Sequence, residues 1–121
     1  MTVMDEPQLV RIVLPQNGDV TITLTLADPT VPLVNGFPKP FDLTGKSVTF
    51  WRKSSRYVPD TDASAKSYTA TNAQDPTTGV CTVQIPRADL STPGVTWWRA
   101  DVASGGSTMP MQWGPLEIFA V

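Results

Sequence analysis

Residues 19–27 read DVTITLTLA, and the order of those residues decides the fold. Val20, Ile22, Leu24 and Leu26 alternate with Thr21, Thr23 and Thr25. Successive side chains of a strand point to opposite faces, so the aliphatics face a core and the threonines form a ladder outside. A helix would scatter the same aliphatics around its circumference. Upstream, residues 9–14 are apolar at Val10, Ile12 and Leu14. Asn17-Gly18 follows, a dipeptide favoured in tight hairpin turns because both residues tolerate positive φ.

Residues 28–44 hold Pro29, Pro32, Pro38, Pro40 and Gly36, which exclude a helix and predict an extended loop, with a short edge strand at 31–34. Residues 46–53 resume alternation, with Val48 and Phe50 on one face and Thr49 and Trp51 on the other. A polar loop at 54–65, a weaker strand at 66–73 and a turn at 75–79 lead into a strand over Val80–Ile85. Residues 87–91 suit one helical turn, and Thr92-Pro93-Gly94 opens a strand over 95–103. After a turn at 104–107 the chain reads as strand over 109–113, a break at Gly114-Pro115, and strand over 116–121. About seven or eight strands with turns roughly every 8–12 residues predict an all-β protein, a single antiparallel β-sandwich of the immunoglobulin-like kind. No stretch sustains a helical period, so crossover helices for a parallel sheet are missing. One domain over 1–121 is expected, with 1–8 as a flexible N-terminal arm.

Composition removes several function classes. A net charge of −2, with no basic cluster beyond Arg52, Lys53 and Arg56, does not supply the phosphate contacts of a nucleic-acid binder. No apolar run approaches the roughly 20 residues of a membrane helix. Residues 1–7 include Asp5 and Glu6 and lack an apolar segment, so no signal peptide is expected and folding in a cytosol is. The chain has no histidine, the commonest general base and metal ligand. Cys81 has no disulfide partner and reads as a small buried hydrophobe. Phosphate-binding glycine loops and nucleophile elbows are missing. Asp60, Asp62 and Ser64 resemble the start of a calcium loop, but Ala65 and Thr71 stand where that loop needs Gly and Glu. No enzyme, cofactor or metal site is expected.

The aromatics point to binding. Trp97 and Trp98 are neighbours in a strand and face opposite ways. Trp98 shares its phase with Ala100 and Val102, which suits the core; Trp97 shares its phase with Arg99 and Asp101, which suits an exposed face. Trp51 lies opposite the inward Val48 and Phe50 phase. Trp51, Trp97 and Arg99 are therefore the candidate protein-interface residues, since Trp and Arg concentrate at interface centres. Equally open is a loop, with 28–44 the candidate, folding over these tryptophans as a second small core. Trp113 and Phe119 read as sheet-packing residues.

The chain resembles the N-terminal domain of phage upper baseplate proteins, which anchor receptor-binding proteins in siphophage baseplates. The resemblance rests on NGDVTITLTLAD, a proline-rich loop ending PFDLTGKSVTFWRK, then DPTTGVCTVQIPRADLSTPGVTWWRADV and a closing GPLEIFAV. It covers about residues 17–121. It marks Asn17, Gly18, Asp42, Gly45, Gly79, Pro93 and Gly94 as fold-making turn residues. Independently of the family, Asp42 can accept backbone N–H groups in the 42–45 turn, and Gly45 can take the φ that aims the chain into the next strand. The resemblance implies a virion structural protein of a tailed phage that docks onto tail or baseplate proteins, with homo-oligomers on the particle in prospect. The family continues into a helical linker and an attachment region, whereas this sequence ends at Val121; a docking domain without that arm is the expectation. Two further readings are a capsid decoration or head-fibre anchoring protein, and a carbohydrate-binding or adhesion module with sugar-stacking tryptophans.

Overall fold

The computed structural model describes residues 8–28 and 39–121. Among them run nine strands: β1 (Gln8–Leu9), β2 (Ile12–Pro15), β3 (Val20–Thr25), β4 (Ser47–Lys53), β5 (Lys66–Thr69), β6 (Thr71–Asn72), β7 (Val80–Ile85), β8 (Gly94–Ser104) and β9 (Ser107–Phe119). The larger sheet has the order β1-β9-β8-β4-β5, with β2 also paired to β9; the smaller has the order β3-β7-β6. Their inner faces close on one apolar core.

The alternation in β3 does what its sequence requires. Ile22, Leu24 and Leu26 are buried and the intervening threonines exposed. Partner strand β7 adds Cys81, Val83 and Ile85 to the same wall. Val48, Phe50, Trp98, Ala100, Val102, Leu116 and Ile118 form the opposite wall. Phe50 stacks on Trp98 with centroids 5.3 Å apart and planes 9° apart. Burial pushes the Cys81 thiol up to about 11, which suits its place as core filler.

Two interrupted runs explain the strand count. β1 and β2 keep one register on β9 across the gap at Val10 and Arg11, and β5 and β6 are one run split at Ala70. Counting each run once turns nine strands into seven (nine less two). The 66–73 run changes sheets at the split: β5 pairs with β4, β6 with β7, and the Ala70 N–H donates to the Val48 carbonyl at 2.9 Å.

Three local expectations need correction. The sandwich is antiparallel except at one edge, where β1 and β2 run parallel to β9. Asn17-Gly18 does not close a hairpin, because β2 and β3 belong to different sheets. Asn17 alone of the two takes positive φ, 60°, and its N–H donates to the Leu90 carbonyl at 3.0 Å. The two-residue hairpin is instead Gly105-Gly106, with φ of 57° and 87° between the paired Ser104 and Ser107. Positive φ at both positions matches the twist of the flanking strands. Finally, Gly114-Pro115 does not break the last strand, since β9 runs unbroken through both. The interruption falls on its neighbour: by the β1 and β2 registers, Gly114 and Pro115 lie opposite Val10 and Arg11, where pairing lapses. Proline has no N–H for a ladder, so it sits where none is asked for.

A bulge in β9 supplies the other irregularity. Ala100 pairs with Gln112 but Asp101 pairs with Pro110, leaving Met111 as the extra residue. Met111 and Gln112 are consequently both buried, and the Gln112 Nε2–H donates across the sandwich to the Thr25 carbonyl at 2.9 Å.

The expected turns hold the ends together. Asp42 Oδ1 accepts from the Thr44 N–H at 2.9 Å and the Thr44 hydroxyl at 2.6 Å, while Gly45 takes φ 71°. Asn72 ties this turn to the smaller sheet by donating to the Lys46 carbonyl at 2.9 Å. Asp75 caps the short helix Pro76–Thr78, and Gly79 ends it at φ 72°. A Cβ at Gly79 would run into the Leu26 carbonyl and lie 3.1 Å from the Phe41 backbone. Gly94, after Pro93, opens β8 at φ 141°. Gln8 already belongs to β1, so the arm expected over 1–8 does not include it; 1–7 and the edge strand expected at 31–34 lie outside the described residues.

Candidate docking face

The functional question falls on the outer face of the larger sheet. Cross-strand register lines up Ser67, Trp51, Arg99, Trp113 and Leu9 in one row, from β5 to β1. The next row holds Lys53, Trp97 and Pro115, and a further one Val95, Glu117 and Val13. All three candidates thus share this face. Leu9 is 61% exposed and Val13, Val95 and Phe119 are exposed beside it, with an Arg11–Glu117 ion pair between them.

The structure divides the candidates into two clusters. Arg99 lies over the Trp51 ring, 5.8 Å from its centroid. Trp97 stacks instead on Trp113, with centroids 5.5 Å apart at 27°. Arg56 completes that second cluster at 4.3 Å from Trp113 and 5.6 Å from Trp97. Trp113 and Phe119 therefore belong to the outer phase, not to the sheet packing expected of them. Their phase was legible as Trp113, Pro115, Glu117, Phe119 once β9 is continuous; the assumed break hid it. Arg56 sits in an irregular loop, where no periodicity assigns a direction.

Part of the face is covered, and residues 54–65 cover it. The Lys53 ammonium, on the outer phase yet only 8% exposed, donates to the Val58 carbonyl at 2.8 Å and to Asp60 at 3.1 Å. Asp60 also receives two bonds from Arg99, at 2.7 and 3.2 Å, and Asp101 takes two more from Arg99 at 2.7 and 2.9 Å. Arg99 is thus a clasp between the loop and the sheet. Burial alone would lower the guanidinium's pKa, but hydrogen bonds to Asp60 and Asp101 outweigh it and raise it. The supposed calcium-loop residues are spent likewise: Asp62 accepts from the Ser64 N–H at 2.9 Å, and Asp60 is turned to Lys53 and Arg99. Among the described residues no three His, Cys, Asp or Glu side chains converge.

The clasp makes a prediction about pH. The Arg99 hydrogen bonds hold the Asp60 carboxyl below its ordinary value. A carboxyl whose folded pKa is depressed adds stability above its unfolded pKa and loses it as pH falls through the folded one. With the Asp60 side chain 40% exposed, solvent limits the pair to about 1 kcal/mol or less. The stability gap between wild type and Asp60→Asn, from urea titrations, is expected to be constant above about pH 5 and to close below about pH 4.

The fold defines a class: a β-sandwich of seven strand runs with an aromatic, cation-decorated outer sheet face. Within that class the chain is similar to the N-terminal domain of phage TP901-1 ORF48, with a TM-score of 0.60 over 95% of this chain and 91% of that one, at 13% sequence identity. The likeness is one of fold, and it agrees with the resemblance read from the turn motifs. No protein-family model matches the sequence, and no curated protein sequence does. Among the described residues no helix is long and apolar enough to cross a membrane.

Proposed function

We propose that this chain is a non-enzymatic structural protein of a tailed-phage particle, a module that docks onto tail or baseplate proteins. The observation that carries the reading is the fold likeness to the ORF48 domain, a baseplate protein's N-terminal domain, over nearly the whole chain. The exposed apolar side chains of the outer sheet face support it, because tryptophan, arginine and apolar neighbours in one patch are the makings of an interface centre. The glycan-binding alternative draws less support: the exposed Leu9, Val13, Val95 and Phe119 beside the tryptophans offer a sugar's hydroxyls no hydrogen bond.

The test is incorporation. The Trp51→Ala/Trp97→Ala double variant gives up two half-buried rings at an expected cost of roughly 2–3 kcal/mol. That lies within the usual stability of a domain, so the free protein is expected to stay folded by circular dichroism. It is nonetheless expected to be missing from gradient-purified particles that contain the wild type. Wild type absent from particles would sink the phage-structural reading; wild type located on the capsid by imaging would move it from tail to head.

A further inference from the structure

A hollow of about 410 Å³ opens on the outer face, lined by Lys53, Arg56, Arg99, Trp97, Trp113 and Pro110 together with Trp98. We propose that it receives an Asp or Glu carboxylate of a partner polypeptide, clasped by Arg56, with an adjacent apolar residue seated against Trp97, Trp113 and Pro110. The inference rests on the docking reading above and gives it a chemistry.

The charges of the hollow single out Arg56. Lys53 is paired with Asp60, and Arg99 with Asp60 and Asp101. Among the described residues the partners of Arg56 are rings: Tyr57, Trp97 and Trp113. Its donors meet no acceptor among the described residues. Among the described residues, three cations against two carboxylates leave the hollow one positive charge, in a chain whose net charge is −2. A guanidinium resting on a tryptophan face makes no hydrogen bond to the ring's edge and keeps its fork of N–H groups available, and that fork matches a carboxylate bidentately. Holding it there beforehand removes part of the ordering cost of binding. A nucleic-acid backbone needs several phosphate contacts in a row, whereas Lys53 and Arg99 are already paired with carboxylates and Arg56 alone is left to make one. An acidic sugar has no use for the apolar residues that continue from the hollow: Leu9, Val13, Val95 and Phe119. A polypeptide uses both.

The probe is a capped Leu-Glu-Pro-Leu peptide beside its Leu-Gln-Pro-Leu twin, followed by two-dimensional NMR of the full chain at the tryptophan indole and arginine Nε–H resonances. The Glu peptide is expected to move Trp97, Trp113 and Arg56 and to bind at least about tenfold more tightly than the Gln peptide. Raising salt from about 50 to about 500 mM is expected to shrink that preference. Arg56→Gln is expected to abolish it and to leave resonances away from Trp97, Trp113 and Tyr57 unchanged, since Arg56 is exposed and touches only those rings among the described residues. Arg56→Lys should retain only part of it, lacking the fork. Equal binding of the two peptides, no shift at those residues, or a preference for N-acetylneuraminic acid over the Glu peptide would overturn the proposal. Such a result beside loss of the Trp51→Ala/Trp97→Ala variant from particles leaves docking intact; a positive peptide result with wild type absent from particles removes the phage reading instead.

Discussion

Gly114→Ala is expected to destabilise the protein by about 3 kcal/mol, though alanine is the smallest change available and β9 has ordinary strand geometry there. The reason lies in the neighbouring strand. By register Gly114 faces Val10, in the gap between β1 and β2. There the Val10 carbonyl turns inward and accepts the Trp98 indole N–H at 2.9 Å. A Cβ on residue 114 would overlap that oxygen and stand 2.7 Å from the carbonyl carbon and 3.1 Å from the Val10 nitrogen. All three obstacles are backbone, so no side-chain rotation relieves the overlap. The strand must lift off β9, which strains the parallel pairing of Gln8–Leu9 and Ile12–Pro15 and exposes the inward Leu14. Overpacking of about 1–3 kcal/mol adds to the loss of a buried hydrogen bond. A fall of roughly 10 °C in Tm follows for a domain of this size. Gly105→Ala is the control: its φ of 57° is unfavourable for alanine, but nothing lies within 4 Å of the added Cβ. It should cost only about 1 kcal/mol. Equal losses for the two variants in urea unfolding would show that backbone conformation, not the approach of Val10, governs position 114.

The contrast between those glycines marks what the sequence could reveal. Strands declared by alternation are found where expected: Val20–Thr25, Ser47–Lys53, Val80–Ile85 and Gly94–Ser104. So are turns whose chemistry is local, such as Asp42 accepting from Thr44. Features set by residues far apart in the chain stayed hidden. Nothing in Gly114-Pro115 says that the strand opposite will be the one to break, and the bulge at Met111 disguises the phase of everything after it. The candidate face was legible as a phase and not as a set of contacts. Trp51, Trp97 and Arg99 could be placed outward from their neighbours, but only folding discloses that Asp60 occupies Arg99 and that Arg56 comes to rest on Trp113. Loop 54–65 has no period from which a direction could be read, so its return over the sheet depends on ion pairs across many residues.

Trp98→Ala is expected to be the most damaging substitution, costing about 4 kcal/mol, because Trp98 joins the core and the N-terminal edge. Its ring is 2% exposed and stacked on Phe50, and its N–H satisfies the carbonyl that Gly114 admits. Trp98→Phe separates the two roles. It keeps most of the apolar ring but leaves the inward Val10 oxygen without its donor, a loss of about 2 kcal/mol. Combined with Gly114→Ala, the two should cost about 1 kcal/mol less than their sum, since a strand already lifted from β9 no longer has that bond to lose. The same double cycle between Trp98→Phe and Gly105→Ala should be additive, the latter lying at the far hairpin. Additivity in both cycles would mean that the Val10 carbonyl does not couple the edge to the core. In that case the parallel strand is held by its ladder and Leu14 alone, and the Gly114 variant should keep its indole hydrogen bond, visible as an unmoved Trp98 Nε1–H resonance.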